Sequence, residues 1–404
     1  MSHVRVVGSG RTILNHRIRA GSWRRTLATI VVGASAVVTI ATPSAGAATP
    51  TGKAFEQTNL VANSASSGAK LVDPNLTNAW GLAAGPSTPL WVSDNNSGDA
   101  TVYSGGVAGG PVSLDLTVPV PGGNPTGQVF NPTAGLSASH QAFRVGGSTG
   151  SPADFIVSSD SIGTTQSPGE IAAWDGGSSF VVEDSPTGGP GGVTPAGAVF
   201  KGLALSTTPT AGPELFAADV ANASVDIFDR NFKPVSAPSE FKDLGIPAGY
   251  APFGIQALHG DIYVTYGKQN AEKTDVVAGA GLGYVDVYSS NGLLIKHLVA
   301  GGPSSPLDEP WGLAIAPQGF GAFAGKLLVG NLGNGWINAF NPTTGKFLGA
   351  LDRPSGAPIV IKGLWGLEVG NSAFGGPSSV VFSAGPGSYA NGLVGTLTPK
   401  SAAQ

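Results

Sequence analysis

The sequence predicts an all-β protein, a six-bladed β-propeller whose ring is closed by an N-terminal strand completing the last blade. Three observations point there. The first is a recurring phrase: an aromatic, a Gly, an aliphatic pair, then an apolar run ending in a polar residue. It reads Trp80-Gly81-Leu82-Ala83 with Trp91-Val92-Ser93-Asp94, and Phe253-Gly254-Ile255 with Tyr263-Val264-Thr265-Tyr266. It returns as Trp311-Gly312-Leu313-Ala314 with Leu328-Val329-Gly330-Asn331, and again at Trp365-Gly366-Leu367. Strand-like runs repeating between turn residues are the mark of a repeat fold. The second is composition: 62 Gly and 31 Pro among 404 residues, 11% charged, yet 41% hydrophobic. That mixture supplies many tight turns and enough apolar surface for a core, and few solvated helices. The third is alternation. Val225-x-Ile227 and Val285-x-Val287 alternate with Asp226 and Asp286, which predicts one buried and one polar face in each strand.

In chain order, residues 1–47 read as a cleaved leader. They hold six arginines and no Asp, Glu or Lys, followed by an apolar stretch over 27–40, Pro43 and Ala45-Gly46-Ala47. A positive start, a short apolar segment and a small-residue site predict export, with cleavage after Ala47. The stretch is short for a membrane span. Arg24-Arg25 fits a twin-arginine signal, and ordinary Sec export fits as well. Residues 48–404 form the single propeller domain. Losing the six arginines takes the formal charge from −4 to −10, which argues against a nucleic-acid partner. The chain has no Cys, so export without disulfides leaves stability to core and closure. Its polar C-terminus shows no membrane anchor, and a secreted, extracellular protein is expected.

Six units then follow. Unit one runs from Trp80 to the strand Thr101-Val102-Tyr103. Unit two has Phe155-Ile156-Val157-Ser158-Ser159-Asp160 and Glu170-Ile171-Ala172-Ala173-Trp174, with a poorly marked first strand expected near Gly135. Unit three has Lys201-Gly202-Leu203-Ala204, Leu215-Phe216-Ala217-Ala218-Asp219 and the Val225 strand. Units four and five start at Phe253 and Trp311, and Asn341-Pro342-Thr343-Thr344-Gly345-Lys346 turns into a fourth strand. Unit six ends at Leu393-Val394-Gly395-Thr396-Leu397 without a fourth strand. Phe55-Glu56-Gln57-Thr58-Asn59-Leu60-Val61 is expected to supply it, removing two exposed edges. Long connections are expected over 117–132, 185–198, 267–283 and 301–310, where function concentrates.

Strands reverse within a blade, so the start of the first and the end of the second share one face of the disc. Trp80, Phe253, Trp311 and Trp365 are therefore expected at one mouth of the channel. Asp94, Asp160, Asp219 and Asn331 are expected nearby, and the loop over 267–283 overhangs them with Lys268, Glu272, Lys273 and Asp275. One reading is a ligand mouth with aromatic walls and a charged lid, for a small ligand, glycan or protein partner, with Lys268, Lys273 and Asp275 as binding groups. Another is that the aromatics wedge between blades and the Asp and Asn residues cap their own turns. A third is a Ca²⁺-dependent, lactonase-like hydrolase with metal held by Asp94, Asp160, Asp219 and Asn331. Gly146-Gly147-Ser148-Thr149-Gly150 matches G-x-S-x-G without the strand–turn–helix that aims such a serine. His140, His259 and His297 lack zinc-ligand spacing.

Several phrases carry a resemblance. Asp73-Pro74-Asn75-Leu76-Thr77-Asn78-Ala79-Trp80-Gly81, the block from Tyr266-Gly267-Lys268-Gln269 through Lys273-x-Asp275-x-Val277-Ala278-Gly279, and Gly283-Tyr284-Val285-Asp286-Val287 resemble an uncharacterised family of secreted bacterial β-propellers, distantly NHL-like. The resemblance covers the whole mature chain. It implies the fold and export, and leaves the activity open.

Overall fold

Six sheets account for nearly all regular structure in the computed structural model, with only three short 3-10 turns among the described residues. These residues are 53–400 apart from 161–168, 186–191, 194–196 and 209–211. The leader and its cleavage after Ala47 lie outside them, as does most of the connection over 185–198.

Each blade begins with an inner strand and runs outward through antiparallel neighbours. The inner strands are Ala79–Ala83, Pro125–Phe130, Phe200–Thr208, Tyr250–Leu258, Pro310–Ile315 and Leu364–Val369. In blade four, for example, the order is Tyr250–Leu258, Asp261–Lys268, Tyr284–Ser289 and Leu294–Val299. Blade six takes its outer strand from the other end of the chain. Phe55–Ala62 pairs antiparallel with Leu393–Pro399, from Phe55 opposite Pro399 to Ala62 opposite Leu393, with one register shift between Asn59 and Val61. Closure by the N-terminal strand is thus the observed arrangement. The short strand Leu71–Val72 then adds in parallel to Phe55–Ala62.

Two expectations need correcting. The inner strand of blade two lies at Pro125–Phe130, not near Gly135. It was hidden because Thr126 stands where four of the other five blades carry an aromatic before the Gly. Nor do the third strands present one polar face: Asp286 is as fully buried as Val285, and Asp226 is partly covered. Adjacent blades pack face to face, so a blade is sandwiched on both sides and its polar residues must find partners inside.

The core consequently lies between blades rather than within one. Phe55 packs on Phe320 and Phe323 of blade five, with ring centroids 4.8 and 5.7 Å away. Fully burying a side chain of this size contributes roughly 1.5–3 kcal/mol. This contact and the burial of Leu60, Val61 and Ala62 add to the strand pairing in holding the closing strand.

Candidate functional site

Every inner strand carries an X-Gly pair at the same place: Trp80-Gly81, Thr126-Gly127, Lys201-Gly202, Phe253-Gly254, Trp311-Gly312 and Trp365-Gly366. In every blade the pairing with the second strand shifts register at this pair. A bulge bends the strand and re-aims a side chain. Gly is required by close approach: a Cβ at Gly81 would stand 2.3 Å from the Thr126 carbonyl oxygen, and one at Gly254 would stand 2.1 Å from that of Trp311. Each inner strand therefore leans its Gly on the next blade. The six glycines ring a residual channel of only about 20 Å³, space for about one water.

The residues before the glycines gather at one end of that channel. Trp80 stacks on Trp365 at 3.5 Å between centroids, and Trp311 meets both edge-on at 6.2 and 5.8 Å. Phe253 lies 6.1 Å from Trp365, and Tyr389 covers Trp365 at 5.8 Å. All four predicted aromatics converge, but against one another. None is more than 8% exposed. They build a plug rather than the open walls of a pocket. The Trp365 indole donates to Asn78 Oδ1 at 3.1 Å, whereas the buried Nε1 groups of Trp80 and Trp311 have no partner.

Lys201 breaks the apolar ring. It occupies the aromatic position of blade three, is fully buried, and holds its Nζ 4.9 Å from the centroid of the Trp80 ring. Asp160 Oδ2 lies 2.5 Å from that ammonium and Asp275 Oδ2 lies 3.6 Å away. Burial alone would lower the Lys201 pKa; Asp160 and then Asp275 outweigh it and hold the group above its ordinary value. Asn95 Nδ2 donates to Asp160 Oδ1 at 3.3 Å and to the Pro125 carbonyl at 3.2 Å. Glu309, 7% exposed and at a left-handed φ of 56°, completes the group. Burial, then the charges of Asp275 and Asp308, push its carboxyl up to about 8, with Lys201 opposing.

The loop between the second and third strands of blade four does reach over this end. Asn270 Oδ1 accepts from the N–H groups of Thr274 and Asp275 and folds the loop into a tight turn. Val276 enters the aromatic cluster, and Gln269 Nε2 donates to the Val220 carbonyl at 2.6 Å. Of the predicted loop residues, Asp275 joins the site. Lys268 and Lys273 are exposed and form no ion pair among the described residues.

Each of the four predicted metal ligands is engaged at one atom or more, while Asp94 Oδ1 and Asn331 Oδ1 are buried without a hydrogen bond. Asp219 Oδ1 accepts from the N–H groups of Val199, Ala221 and Asn222 in and beside its own turn. Asn331 donates to the Pro306 carbonyl at 2.8 Å and to Asn334. Asp94 Oδ2 accepts from Thr101 at 2.6 Å, and burial pushes its pKa well above the usual range. Asp160 belongs to Lys201. Among the described residues, the one group of three His, Asp or Glu whose ligand atoms all lie within 4.8 Å is Asp243, Asp286 and His297. Sequence spacing missed it, because the three come from a connection and two strands. The signal for Lys201 was present: of the two residues that depart from the aromatic pattern, it is the charged one.

No helix among the described residues is long and apolar enough to cross a membrane. No family model matches the chain. The fold is similar to a solved GH93 alpha-L-arabinofuranosidase of Fusarium graminearum in complex with arabinobiose. The TM-score is 0.51 at 14% identity over 86% of this chain and 98% of that one, a likeness of fold alone. Two sequence relatives come from Acanthamoeba polyphaga mimivirus, and so are viral where the resemblance pointed to bacterial proteins. Uncharacterized protein R648 is 29% identical over 80% of this chain and 76% of its own length. Uncharacterized protein L690 is 30% identical over 80% of this chain and 81% of its own length, and the chain belongs to the same family as L690.

Proposed function

We propose that this protein is a binding module that holds a small polar ligand at the plugged end of its channel, with Asp275, Lys201 and Glu309 as the recognising groups. One observation carries the reading: a fully buried lysine stands where the repeat calls for an aromatic. Burying an ion pair is seldom favourable against a well-packed apolar alternative. Two blades depart from the aromatic pattern, one with the small hydroxyl of Thr126 and one with a buried charge at Lys201, and the charged departure, at that cost, points to use rather than to structure.

Charge narrows the ligand. Lys201 balances Asp160, leaving Asp275 and Asp308 as net negative charge over an aromatic floor. Anions are disfavoured, and hydroxyl or amine donors that can reach the Asp275 carboxylate are favoured. A neutral glycan fits this chemistry, and a glycan on the loop-rich face agrees with an exported protein. The leader over 1–47 is the support for export.

The test is a melting-temperature and calorimetric screen against neutral oligosaccharides, with polyamines as the competing arm. Asp275 is partly exposed, so Asp275→Asn should keep the fold and weaken capture by tenfold or more. If no oligosaccharide or polyamine raises the melting temperature of the wild type, or if Asp275→Asn binds as tightly, the reading fails.

A hydrolase is the second reading, favoured by Glu309. A buried carboxyl held near 8 is the kind of group that serves as a general acid near neutral pH. Asp94, Asp160, Asp219 and Asn331 are not the residues whose ligand atoms gather within 4.8 Å of one another among the described residues, so this second reading is argued from Glu309 and not from a Ca²⁺ ion. Release of reducing sugar, abolished by Glu309→Gln with binding retained, would favour the enzyme.

A further inference from the structure

Three side chains meet at the outer part of blade four, away from the channel. Asp286 comes from its third strand, His297 from its fourth, and Asp243 from the connection leading in from blade three. His297 Nδ1 lies 2.8 Å from Asp243 Oδ2 and 2.8 Å from Asp286 Oδ1. A ring nitrogen carries at most one proton. Here that position serves the hydrogen bond with Asp243. Asp286 Oδ1, on a fully buried residue, is left without a hydrogen bond while pointing at the same nitrogen.

The other oxygen of each carboxylate is already held. Asp243 Oδ1 accepts from the Gly245 N–H at 2.6 Å. Asp286 Oδ2 accepts from the Tyr288 hydroxyl at 3.1 Å, and that hydroxyl meets the Tyr266 hydroxyl at 2.6 Å. One oxygen from each acid is thus turned inward and its partner fixed, the way outer-shell contacts orient metal ligands.

We infer that His297 Nδ1, Asp243 Oδ2 and Asp286 Oδ1 form a binding site for a divalent transition-metal ion of the zinc class. An imidazole with two carboxylates suits zinc-like ions, whereas calcium and magnesium prefer oxygen alone. The metal takes the Nδ1 lone pair, and the proton there moves to Nε2 or to solvent. His297 is 32% exposed, which gives the ion an entry path and leaves a fourth position for water. The ion would clip the connection from blade three onto the two outer strands of blade four.

The full mature chain, stripped with EDTA and dialysed, is titrated with ZnCl₂ by calorimetry and with CoCl₂ by visible absorption. The expected result is a single stoichiometric zinc site, a higher melting temperature reversed by EDTA, and a cobalt ligand-field band. CaCl₂ should give none of these. His297→Gln and Asp243→Asn should each lose the stoichiometric site, whereas His140→Gln, at an exposed histidine elsewhere, should keep it. Absence of stoichiometric zinc uptake by the wild type overturns the inference, as does retention of the site in both variants. Should a variant fail to fold, the wild-type cobalt spectrum decides: a nitrogen–oxygen tetrahedral band supports the site, and its absence sinks it.

Discussion

Replacing Lys201 with Met tests the buried ion pair directly. Methionine matches the stem in length, so little cavity opens and the packing loss is small. What changes is charge: Asp160, 1% exposed and 2.5 Å from the ammonium, is left without its counter-ion. Stranding one partner of a buried pair costs about 3–5 kcal/mol. Loss of the contact over Trp80, 4.9 Å from Nζ to the ring centroid, adds about 0.5–2 kcal/mol. Lys201→Met should therefore lower the urea midpoint by the equivalent of several kcal/mol at an unchanged slope. Adding Asp160→Asn removes the stranded charge, so the double variant should recover most of the loss. The coupling between the two sites is read from the cycle. A loss under about 1 kcal/mol for Lys201→Met, or no recovery in the double variant, would refute the claim that this pair sits buried and charged.

Other outcomes follow from the same geometry. Glu309 has a folded pKa near 8 against about 4.3 unfolded. The native state then holds a proton that the unfolded chain has released between those values, and stability falls with rising pH across that window by about 1.4 kcal/mol per unit. Glu309→Gln should flatten that part of the profile and stabilise the protein at pH values above the window; an unchanged slope in chemical denaturation across pH counts against it. Trp365→Ala removes the centre of the aromatic plug and should cost about 3–5 kcal/mol, measured by thermal unfolding. A folded, equally stable variant would mean that the ring is ornamental to the fold. Gly254→Ala forces a Cβ to within 2.1 Å of the Trp311 carbonyl oxygen, and should cost about 1–3 kcal/mol or prevent folding. An unaffected melting temperature would show that the blades can part at no cost.

The fold was legible because the blade repeats its own physics. Aromatic-Gly, then an apolar run ending in Asp or Asn, recurs since each inner strand must bulge and lean on its neighbour. Blade two escaped that pattern because Thr126 places its hydroxyl 2.9 Å from the Phe200 carbonyl and 3.1 Å from that of Ser158 instead of packing a ring. The burial of Asp286 escaped because alternation describes a strand with one wet face, and a blade between two others has none. At the mouth, periodicity found the aromatics and the overhanging loop, and Asp275 with them. It did not show that the rings would close on each other, since strand spacing sets where side chains start and packing sets where they end. The partners of Lys201, Asp160 and Asp275, come from other blades, and the His297 cluster joins two strands of blade four to the connection before it, which no repeat pattern encodes.

Phe55 and Pro399 stand opposite each other although they are separated by almost the whole described chain, and the Lys400 N–H donates to the Ala54 carbonyl at 2.9 Å. A nascent polypeptide can therefore stack its blades as they emerge, yet the seam stays open until Leu393–Pro399 has left the ribosome. Until that moment the assembly resists unfolding only blade by blade; afterwards, opening it means unzipping one antiparallel seam first. Joining Ala54 to Lys400 by a short linker and cutting new ends in the connection before blade four would make that seam covalent. Such a circular permutant should unfold markedly more slowly than the natural chain.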